Sequence, residues 1–468
     1  MQVIKELKHI CDVCKLPLLF HSTGQVHMTE GPIVEQLLCF MVPILVSQIL
    51  QQFYGIADTA MVGQYLGASA LAALGTTSLL LAVIVNFYIG LSTGISVILS
   101  KLFGGCSYKE LNICVQTILL TCIAFGISLT FVGILNVEQI LAMLDTPAAI
   151  IPVAASYLRI SFWGLTAQLL YNVGNSMLQA LGNTTSAFHY LLVASLLNLV
   201  LDYVFIVIFP LGVAGAALAT VLAQYLSAML VIRKLLCLEG DWHFTFSKPW
   251  INLYYLKELT TKGIPAGMQA IFMSISSLVI QTYINSFGYS AMAGMLVFAR
   301  VEGFLYFPLF SFGLALTSFI GQNVGAGRFD RVQEGMKLSF KIAVGGSLVI
   351  GVVVMGLAPY ILRIFTNDTS VLQNGLQAVY FVFPFYWSYA MNQVYIGGIR
   401  GLGNTFYPML ASLVAYSVFR VVWCHAWDFI IHDMRVVYNS YNASFFVMLL
   451  MLYFGYRYYY RQAVQENN

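Results

Sequence analysis

The sequence predicts an all-α integral membrane protein. Twelve transmembrane helices are expected to form two six-helix lobes related by a pseudo-two-fold axis along the membrane normal. Three observations predict this fold class: the composition, the number of apolar runs and an internal repeat. Of the 468 residues, 59% are hydrophobic and only 9% are charged, and the mean hydropathy is +0.81. Because soluble domains carry about 25% charged residues, a chain this poor in charge cannot cover its surface in water.

The apolar runs set the number of membrane crossings, because a spanning helix needs about 20 mainly apolar residues. We therefore predict helices over residues 33–56, 68–101, 110–135, 150–181, 186–209, 213–236, 257–287, 290–324, 335–358, 370–401, 406–430 and 437–460. Several of these runs are longer than an upright crossing requires, which indicates tilted helices or helices that extend beyond the lipid.

The basic residues predict the orientation, since cytoplasmic loops of membrane proteins are enriched in lysine and arginine. With the N-terminus inside, 17 of the 22 basic residues fall at inner positions. Both termini are therefore expected to be cytoplasmic.

An internal repeat divides the chain into two halves. The motif Gly-x-Ser-Ala occupies residues 67–70 and 288–291, and Leu-Gly-Asn-Thr occupies residues 181–184 and 402–405. The offset is 221 in both cases, since 288 − 67 and 402 − 181 give the same value. Six helices per half, an even number, predict parallel repeats, and transporters built this way bind their ligands near the repeat interface.

The repeat also predicts the domain boundaries. We expect a cytoplasmic N-terminal extension (1–30), an N-terminal lobe of helices 1–6 (31–238), a cytoplasmic linker (239–256), a C-terminal lobe of helices 7–12 (257–461) and a cytoplasmic tail (462–468). The apolar pattern begins after Met28. Our hypothesis is that Met28 is the authentic start and that residues 1–27 are an upstream extension that the native protein lacks.

Acidic residues inside the spans are the strongest functional signal in this chain. Asp202 and Glu302 lie well within predicted helices, and Asp58 lies at the outer end of the first apolar segment. A charge in a lipid-embedded helix costs roughly 2.5–3.5 kcal/mol, so such a residue usually faces a bundle interior or a water-filled cavity. Position alone also allows Asp58 to cap a turn at the membrane interface.

Two pairs of polar residues predict an ion site beside these acids. Asn198 and Asp202 are four residues apart and share one helix face, as do Thr220 and Gln224 on the next helix. The oxygens of Asp58, Asn198, Asp202 and Thr220 can bind Na⁺, or the two carboxylates can share a proton. The alternative for Asn198 and Asp202 is a hydrogen-bonding pair that only holds two helices together.

Further polar side chains within the spans are candidates for lining a substrate cleft. They are Gln51, Tyr54, Gln168, Asn172, Asn175, Gln224, Glu302 and Asn392. Polar helix faces also serve as hydrogen-bonding contacts between helices, so both interpretations stay open. Glu302 follows Arg300 by two residues, and this spacing favours an internal ion pair without a role in transport.

The sequence lacks the motifs of several other protein classes. It contains no H-E-x-x-H, no G-x-x-x-x-G-K and no G-x-S-x-G at a strand–helix turn, so we expect neither an enzyme nor a cofactor. No ATP-binding domain is visible, and the scattered basic residues do not form a nucleic-acid-binding face. We expect a monomer whose partners are the lipid bilayer and small-molecule substrates.

A set of short motifs runs from about residue 29 to residue 461, nearly the whole chain. They are Gly31-Pro32, Asp58-Thr59 followed by Val62-Gly63, Ala70-Leu71-Ala72-Ala73, Leu181-Gly182-Asn183-Thr184, the Asn198/Asp202 pair, Gly212-Val-Ala-Gly-Ala-Ala-Leu-Ala-Thr220 and Gly321-Gln322-Asn323-Val324-Gly325-Ala326-Gly327. Together and in this order, they resemble the multidrug and toxic compound extrusion (MATE) family of bacterial efflux antiporters.

The resemblance implies twelve helices in two lobes around a central cleft, in the cytoplasmic membrane of a bacterium. It implies secondary active antiport by alternating access, in which organic, often cationic, amphiphiles leave the cell in exchange for H⁺ or Na⁺. It also implies that Asp58, Asn198, Asp202 and Thr220 handle the coupling ion in the N-terminal lobe.

One branch of the family has two further acids in the C-terminal lobe. Its glutamate eight residues after the proline of helix 7 corresponds here to Met273, counted from Pro265. Its aspartate after an Arg-Gly pair in helix 10 corresponds to Asn404. Because both acids are missing, we expect coupling in the N-terminal lobe alone.

Two alternative functions remain open at this point. A flippase for lipid-linked sugars, built on a related fold, would need a large cleft lined with several cationic residues. Only Arg300 and Arg420 are basic residues well inside the predicted spans. A non-transporting membrane scaffold or receptor is the second alternative, and the repeat and the buried acids argue against it.

Overall fold

The computed structural model describes residues 27–467, apart from residues 145, 148–149, 239–241, 247, 249 and 429. For residues 68, 69 and 428 it describes the backbone only. The proposed upstream extension therefore lies outside the described residues except for His27.

All regular secondary structure in the described part of the chain is helical. The helices are α1 (Ile33–Leu66), α2 (Ala68–Gly104), α3 (Tyr108–Leu135), α4 (Val137–Met143), α5 (Ile151–Trp163), α6 (Leu165–Ala180), α7 (Thr184–Tyr203), α8 (Val213–Leu236), α9 (Leu253–Ser286), α10 (Tyr289–Gly325), α11 (Phe329–Phe365), α12 (Thr369–Val382), α13 (Tyr386–Gly401), α14 (Phe406–Ser412), α15 (Arg420–Asp428) and α16 (Met434–Asn467). Wider π-helical turns follow α7, at Val204–Ile208, and α14, at Leu413–Phe419.

Ten helical segments among the described residues are long and apolar enough to cross a membrane. The prediction of a multi-pass all-α membrane protein is therefore confirmed. Two of the predicted spans are broken in the middle instead of continuous. The fourth divides into α5 and α6 at Gly164, and the tenth divides into α12 and α13 at a 3-10 turn over Phe383–Phe385. The turn contains Pro384, which has no backbone N–H to continue the helical ladder.

The sequence repeat reappears in the helix boundaries. Helix α10 begins and ends 221 residues after α2, since 289 − 68 and 325 − 104 give the same value. Gly67 and Gly288, the residues before these two helices, have φ of +82° and +88°. Glycine reaches this left-handed region without the steric cost that a side chain brings, so the repeated glycine marks a turn that both halves need.

The chain forms two compact units. The first contains Val42–Gly263, and the second contains Met28–Met41 with Ile264–Asn468. Within the first unit, α6 packs against α2, α3 and α8, and α8 also packs against α5 and α7. Within the second unit, α13 packs against α10, α11 and α16. The predicted lobe boundaries at 31–238 and 257–461 remain a prediction.

A buried arginine of the second unit, Arg331, forms hydrogen bonds with the residues at the start of α1. Arg331 is only 9% exposed. Its guanidinium donates to the carbonyl oxygens of Gly31 (3.0 Å) and Met28 (3.2 Å) and to the side-chain oxygens of Gln36 and Asn323 (both 3.2 Å). A buried charge is tolerated when hydrogen bonds replace its lost hydration, so Arg331 has a structural role.

We predict that Arg331→Gln destabilises the protein by about 2 kcal/mol or more, because several acceptors lose a charged donor. The apparent melting temperature of the purified protein should fall by several degrees. Arg328→Gln is the matched control, because Arg328 is exposed and pairs only with Asp330 at 3.3 Å in the described part of the chain. Equal melting temperatures for the two variants would contradict this role of Arg331.

Candidate functional site

Asp58 lies inside a helix and not at its end. Helix α1 continues to Leu66, eight residues past Asp58. Asp58 therefore does not cap the end of α1. Its carboxyl is half-buried, and its Oδ1 atom is buried with no hydrogen-bond partner among the described residues. The neighbouring Thr59 hydroxyl donates within its own helix, to the Gly55 carbonyl at 2.8 Å, so it does not satisfy the acid.

Asp202 and Asn198 lie on α7, where the repeating apolar pattern places both on one buried face. Asp202 is 0% exposed and Asn198 is 2% exposed. Both carboxyl oxygens of Asp202 and the Oδ1 atom of Asn198 have no hydrogen-bond partner among the described residues. The π-helical turn that follows Asp202 changes the direction of the next side chains, and such turns are frequent at functional sites.

Helix α8 supplies the hydroxyl of Thr220. The amide of Asn198 donates to Thr220 Oγ1 at 3.5 Å, which is long for a hydrogen bond. Asp202 makes no hydrogen bond to a second helix in the described part of the chain. The alternative interpretation, in which Asn198 and Asp202 lock two helices together, is therefore not favoured by the contacts.

The two acids are close enough for their charges to interact across α1 and α7. Tyr54, one turn before Asp58 on α1, is within electrostatic reach of both carboxyls. Tyr157 of α5 is also within reach of both. Tyr157 is not identifiable as a site residue from the sequence, because an isolated tyrosine in an apolar helix carries no pattern that distinguishes a site residue from a lipid-facing one.

Among the described residues, the side-chain hydrogen bonds along the polar face of α6 lie within that helix. Asn172 donates to the Gln168 carbonyl at 2.8 Å, and Gln179 donates to Asn175 Oδ1 at 3.1 Å. Both bonds stay within α6, and Gln168, Asn172 and Asn175 are each half-buried. The contacts of these three residues therefore agree better with a lined cavity than with an interhelical seam. Gln51 is likewise half-buried on α1.

Gln224 packs against the break between α5 and α6. A Cβ atom added to Gly164 would collide with the Gln224 side-chain oxygen and would lie 3.0 Å from Val221 Cγ2. Glycine at this position therefore allows α8 to approach the broken helix closely.

We predict that Gly164→Ala destabilises the protein by about 1 kcal/mol, because the flexible end of the Gln224 side chain can move away while Val221, whose Cγ2 lies 3.0 Å from the new methyl group, must shift slightly. Adding Gln224→Ala should restore much of this loss, since the two sites are in direct contact and couple. The measurement is the melting temperature of the purified single and double variants. Gly55→Ala is the control, because no atom lies within 4 Å of the position that its methyl group would take. A double variant no more stable than Gly164→Ala would contradict the proposed contact.

The remaining two candidates, Glu302 and Asn392, belong to the second unit. Glu302 Oε1 accepts a hydrogen bond from the Tyr386 hydroxyl at 3.1 Å, whereas the Arg300 side chain is exposed. The expected Arg300–Glu302 ion pair is therefore wrong within the described part of the chain. Asn392 is 0% exposed and donates to the Tyr416 hydroxyl (3.3 Å) and the Phe445 carbonyl (3.0 Å), so it connects helices.

The donor set around Asp58 and Asp202 suits a hard monovalent cation or a proton. Within the described residues, no group of three or more His, Cys, Asp and Glu side chains could hold a metal ion. The oxygens of Asp58, Asn198, Asp202 and Thr220 are carboxylate, amide and hydroxyl ligands, which hard cations prefer.

A sequence model of the MatE family matches residues 43–204 and residues 265–425, which together make up more than half of the chain. The chain belongs to the MatE family. The two matched segments begin 222 residues apart (265 − 43), close to the offset of the internal repeat. This MATE family efflux transporter is therefore built from two copies of one sequence pattern.

Curated relatives and solved structures agree with this assignment. The probable multidrug resistance protein YpnP of Bacillus subtilis is 29% identical over 397 residues, covering 84% of this chain and 88% of that protein. An FAD transporter of Shewanella oneidensis is 27% identical over 356 residues, covering 74% and 77%. A crystal structure of MATE in the bent conformation superposes with a TM-score of 0.87 at 20% identity, covering 94% of this chain and 98% of that one, and so has the same fold.

The two positions at which one branch of the MATE family has acids hold other side chains here. Met273 lies within α9, and Asn404 Oδ1 accepts from the backbone N–H of Tyr407 at 2.8 Å. Asn404 thus forms the turn that starts α14, a structural use of the side chain.

Proposed function

We propose that this MATE transporter is a secondary active antiporter. It exports organic amphiphiles, often cationic ones, in exchange for H⁺ or Na⁺ by alternating access. The observation that carries the proposal is Asp202, a fully buried carboxyl whose two oxygens have no hydrogen-bond partner among the described residues. The names of the relatives, probable multidrug resistance proteins among them, support export as the direction of transport.

A cation relieves the cost of this arrangement. A buried polar group without a partner loses its hydration, and no protein hydrogen bond compensates for the free-energy cost. Two neighbouring carboxylates also repel each other when both are charged. A proton on Asp202, or Na⁺ held by Asp58, Asn198, Asp202 and Thr220, removes both penalties. The Asp58–Asp202 pair is therefore a site that favours cation uptake and that remains unsatisfied without it.

Exchange follows if ion and substrate exclude one another. The coupling ion enters the Asp58–Asp202 pair from the outside, where it is more concentrated, and its binding lowers the affinity for the exported compound. This is negative linkage between two ligands, typically worth about 1–3 kcal/mol. Tyr54 is within electrostatic reach of both acids. In this scheme it is the side chain that couples ion binding to the affinity for a cationic substrate.

The architecture that we propose has twelve spans in two six-helix lobes. The helix α4 has only seven residues and is too short to cross a membrane. Without α4, and counting α5 with α6, α12 with α13 and α14 with α15 as one span each, there are six crossings before residue 239 and six after residue 252. Both termini then face the cytoplasm of a bacterium, in whose inner membrane the transporter acts as a monomer. Neither ATP, a cofactor nor nucleic acid has a role in this scheme.

The central test replaces the acids by their uncharged isosteres. Asp58→Asn and Asp202→Asn keep the side-chain shape but can neither carry a proton nor compensate Na⁺. Gradient-driven efflux of ethidium, an organic cation, into everted membrane vesicles should fall on the order of tenfold or more in each variant. The expression level and melting temperature should remain close to those of the wild type.

Glu138→Gln is the matched control in the same unit. Glu138 is an exposed acid, 77% accessible, that pairs with Arg159 at 2.8 Å. Its loss should leave efflux unchanged, because exposed ion pairs contribute little. Wild-type efflux rates in both Asp58→Asn and Asp202→Asn would refute the antiport mechanism. Failure of the wild type to move dye under any gradient would favour a scaffold or a lipid-linked-sugar flippase.

The same vesicles decide between the two ions. Efflux is measured with a proton gradient at constant Na⁺, and then with a Na⁺ gradient at constant pH. Thr220→Val removes a hydroxyl that can bind Na⁺ but cannot carry a proton across. Na⁺ coupling therefore predicts a strong loss in Thr220→Val, and proton coupling predicts efflux close to that of the wild type.

A further inference from the structure

The second unit contains a half-buried acid and a buried arginine that do not touch. Glu302 lies on α10, and Arg420 lies at the start of α15. Their charges interact electrostatically, yet no nitrogen–oxygen distance between them is within 4.0 Å, and the described residues contain no ion pair that involves either. Each charge therefore lacks an opposite charge in direct contact.

Among the described residues, Arg420 contacts only neutral groups. It is 7% exposed. Its Nε and Nη2 atoms donate to the single hydroxyl of Ser444, at 3.2 and 2.8 Å. The guanidinium lies 4.4 Å from the ring centre of Tyr441 and 5.2 Å from that of Tyr416. Five N–H groups are available on a guanidinium, and one hydroxyl cannot satisfy them, so the cation retains unused donors.

Glu302 has an equally neutral environment. Its carboxyl accepts from the Tyr386 hydroxyl at 3.1 Å. Tyr386 and Tyr389 have ring centres 5.1 Å apart, and Tyr306 stacks on Tyr389 at 6.0 Å. The carboxyl therefore borders a group of tyrosine rings. Tyr386 and Tyr389 are almost fully buried, whereas Tyr306 is half-buried and can contact a flat or cationic organic ligand.

A third group with an unused bonding position adjoins this pair. Asn392 is 0% exposed, and its Oδ1 atom has no hydrogen-bond partner among the described residues. Its amide donates to the Tyr416 hydroxyl, and the Tyr416 ring lies below Arg420. The hydroxyl of Tyr441 is within electrostatic reach of both Arg420 and Glu302. The two charges thus face a common aromatic region of the second unit.

We propose that Glu302 and Arg420 together bind a zwitterionic aromatic amphiphile. The anionic group of the ligand, a carboxylate or a phosphate, takes the unused donors of Arg420. Its cationic group takes the carboxylate of Glu302, and its rings pack against the half-buried ring of Tyr306. A separated pair of opposite charges in an apolar surrounding has little net charge, so it matches a ligand that carries both charges and is neutral as a whole.

The pair also discriminates against ligands of single charge. A monocation gains the attraction of Glu302 but meets the repulsion of Arg420, and juxtaposed like charges oppose binding. This inference names a substrate class and rests on the proposed export function for its role in transport. Binding itself does not depend on a gradient, and the test below therefore measures binding alone.

The test uses two dyes that differ by one charge. Rhodamine B carries a free carboxylate and a cationic ring system, whereas its ethyl ester is a monocation of nearly the same shape. Equilibrium binding to the purified, detergent-solubilised transporter is followed by fluorescence anisotropy. We expect the wild type to bind rhodamine B more tightly than the ester. Arg420→Gln should weaken the binding of rhodamine B about tenfold or more, as the loss of charged hydrogen bonds predicts. It should not weaken the binding of the ester, because the repulsion between Arg420 and the monocation is removed.

Glu302→Gln gives the complementary result. It should weaken both dyes, because both carry the cationic ring system that binds the carboxylate. Arg435→Gln is the matched control for the loss of an arginine, because Arg435 is an exposed residue of the same unit that lies 3.8 Å from Asp433. It should change neither affinity. Arg420→Lys keeps the charge but not the planar fork, so it should lose only part of the affinity for rhodamine B.

Three results would overturn the proposal. The first is a wild type that binds the ester as well as or better than rhodamine B. The second is an Arg420→Gln variant that changes both affinities by the same factor, since a purely structural role would affect both dyes alike. The third is an Arg420→Gln variant that changes neither affinity. Should Arg420→Gln not fold, the dye preference of Arg420→Lys decides, and an unchanged preference there overturns the proposal as well.

Failure of this proposal is distinguishable from failure of the antiport mechanism. The binding assay leaves Asp58 and Asp202 untouched and uses no gradient. A transporter that shows gradient-driven efflux of ethidium but no preference for rhodamine B retains the proposed function and lacks the zwitterion site. Preferential binding of rhodamine B without gradient-driven efflux of ethidium would support the zwitterion site and contradict the antiport mechanism.

Discussion

The cost of placing a charge in an apolar environment is the constraint on which this structure depends. The chain carries few charges, and most of its length is suited to lipid. Each charge that remains inside a helix bundle must therefore receive hydrogen bonds, an opposite charge or a ligand. Which of these three it receives separates the structural charges of this protein from the functional ones.

Arg331 and Asp202 illustrate the two outcomes. Arg331 is buried and donates to four oxygens, from Met28, Gly31, Gln36 and Asn323. These four bonds use four of the five N–H groups of the guanidinium, so its removal should cost stability. Asp202 is more deeply buried, yet neither carboxyl oxygen has a partner among the described residues. An unpartnered buried carboxyl destabilises the protein in the absence of an ion. We therefore expect such a group at a site that binds and releases an ion.

The repeat preserves the helical frame of the two halves but not their polar chemistry. At the offset of 221, Asp58 corresponds to Val279 and Asp202 to Trp423. In the opposite direction, Glu302 corresponds to Leu81 and Arg420 to Leu199. The first unit thus carries two interacting acids, and the second carries an acid and an arginine. The two halves therefore share helix boundaries at α2 and α10 but differ in the polar residues inside their helices.

The sequence by itself determined the class of the protein and the positions of its helices, because the free energy of transfer into lipid depends on composition along the chain. Spacing alone placed Asn198 and Asp202 on one helix face, since four residues make about one helical turn. Only the tertiary structure brought Asp58 and Asp202 within electrostatic reach, opposed Glu302 to Arg420 instead of Arg300, and divided two spans at Gly164 and Phe383–Phe385. These features depend on which helices pack against each other. Helix packing is determined by contacts between residues far apart in the chain, and local sequence patterns do not predict such contacts.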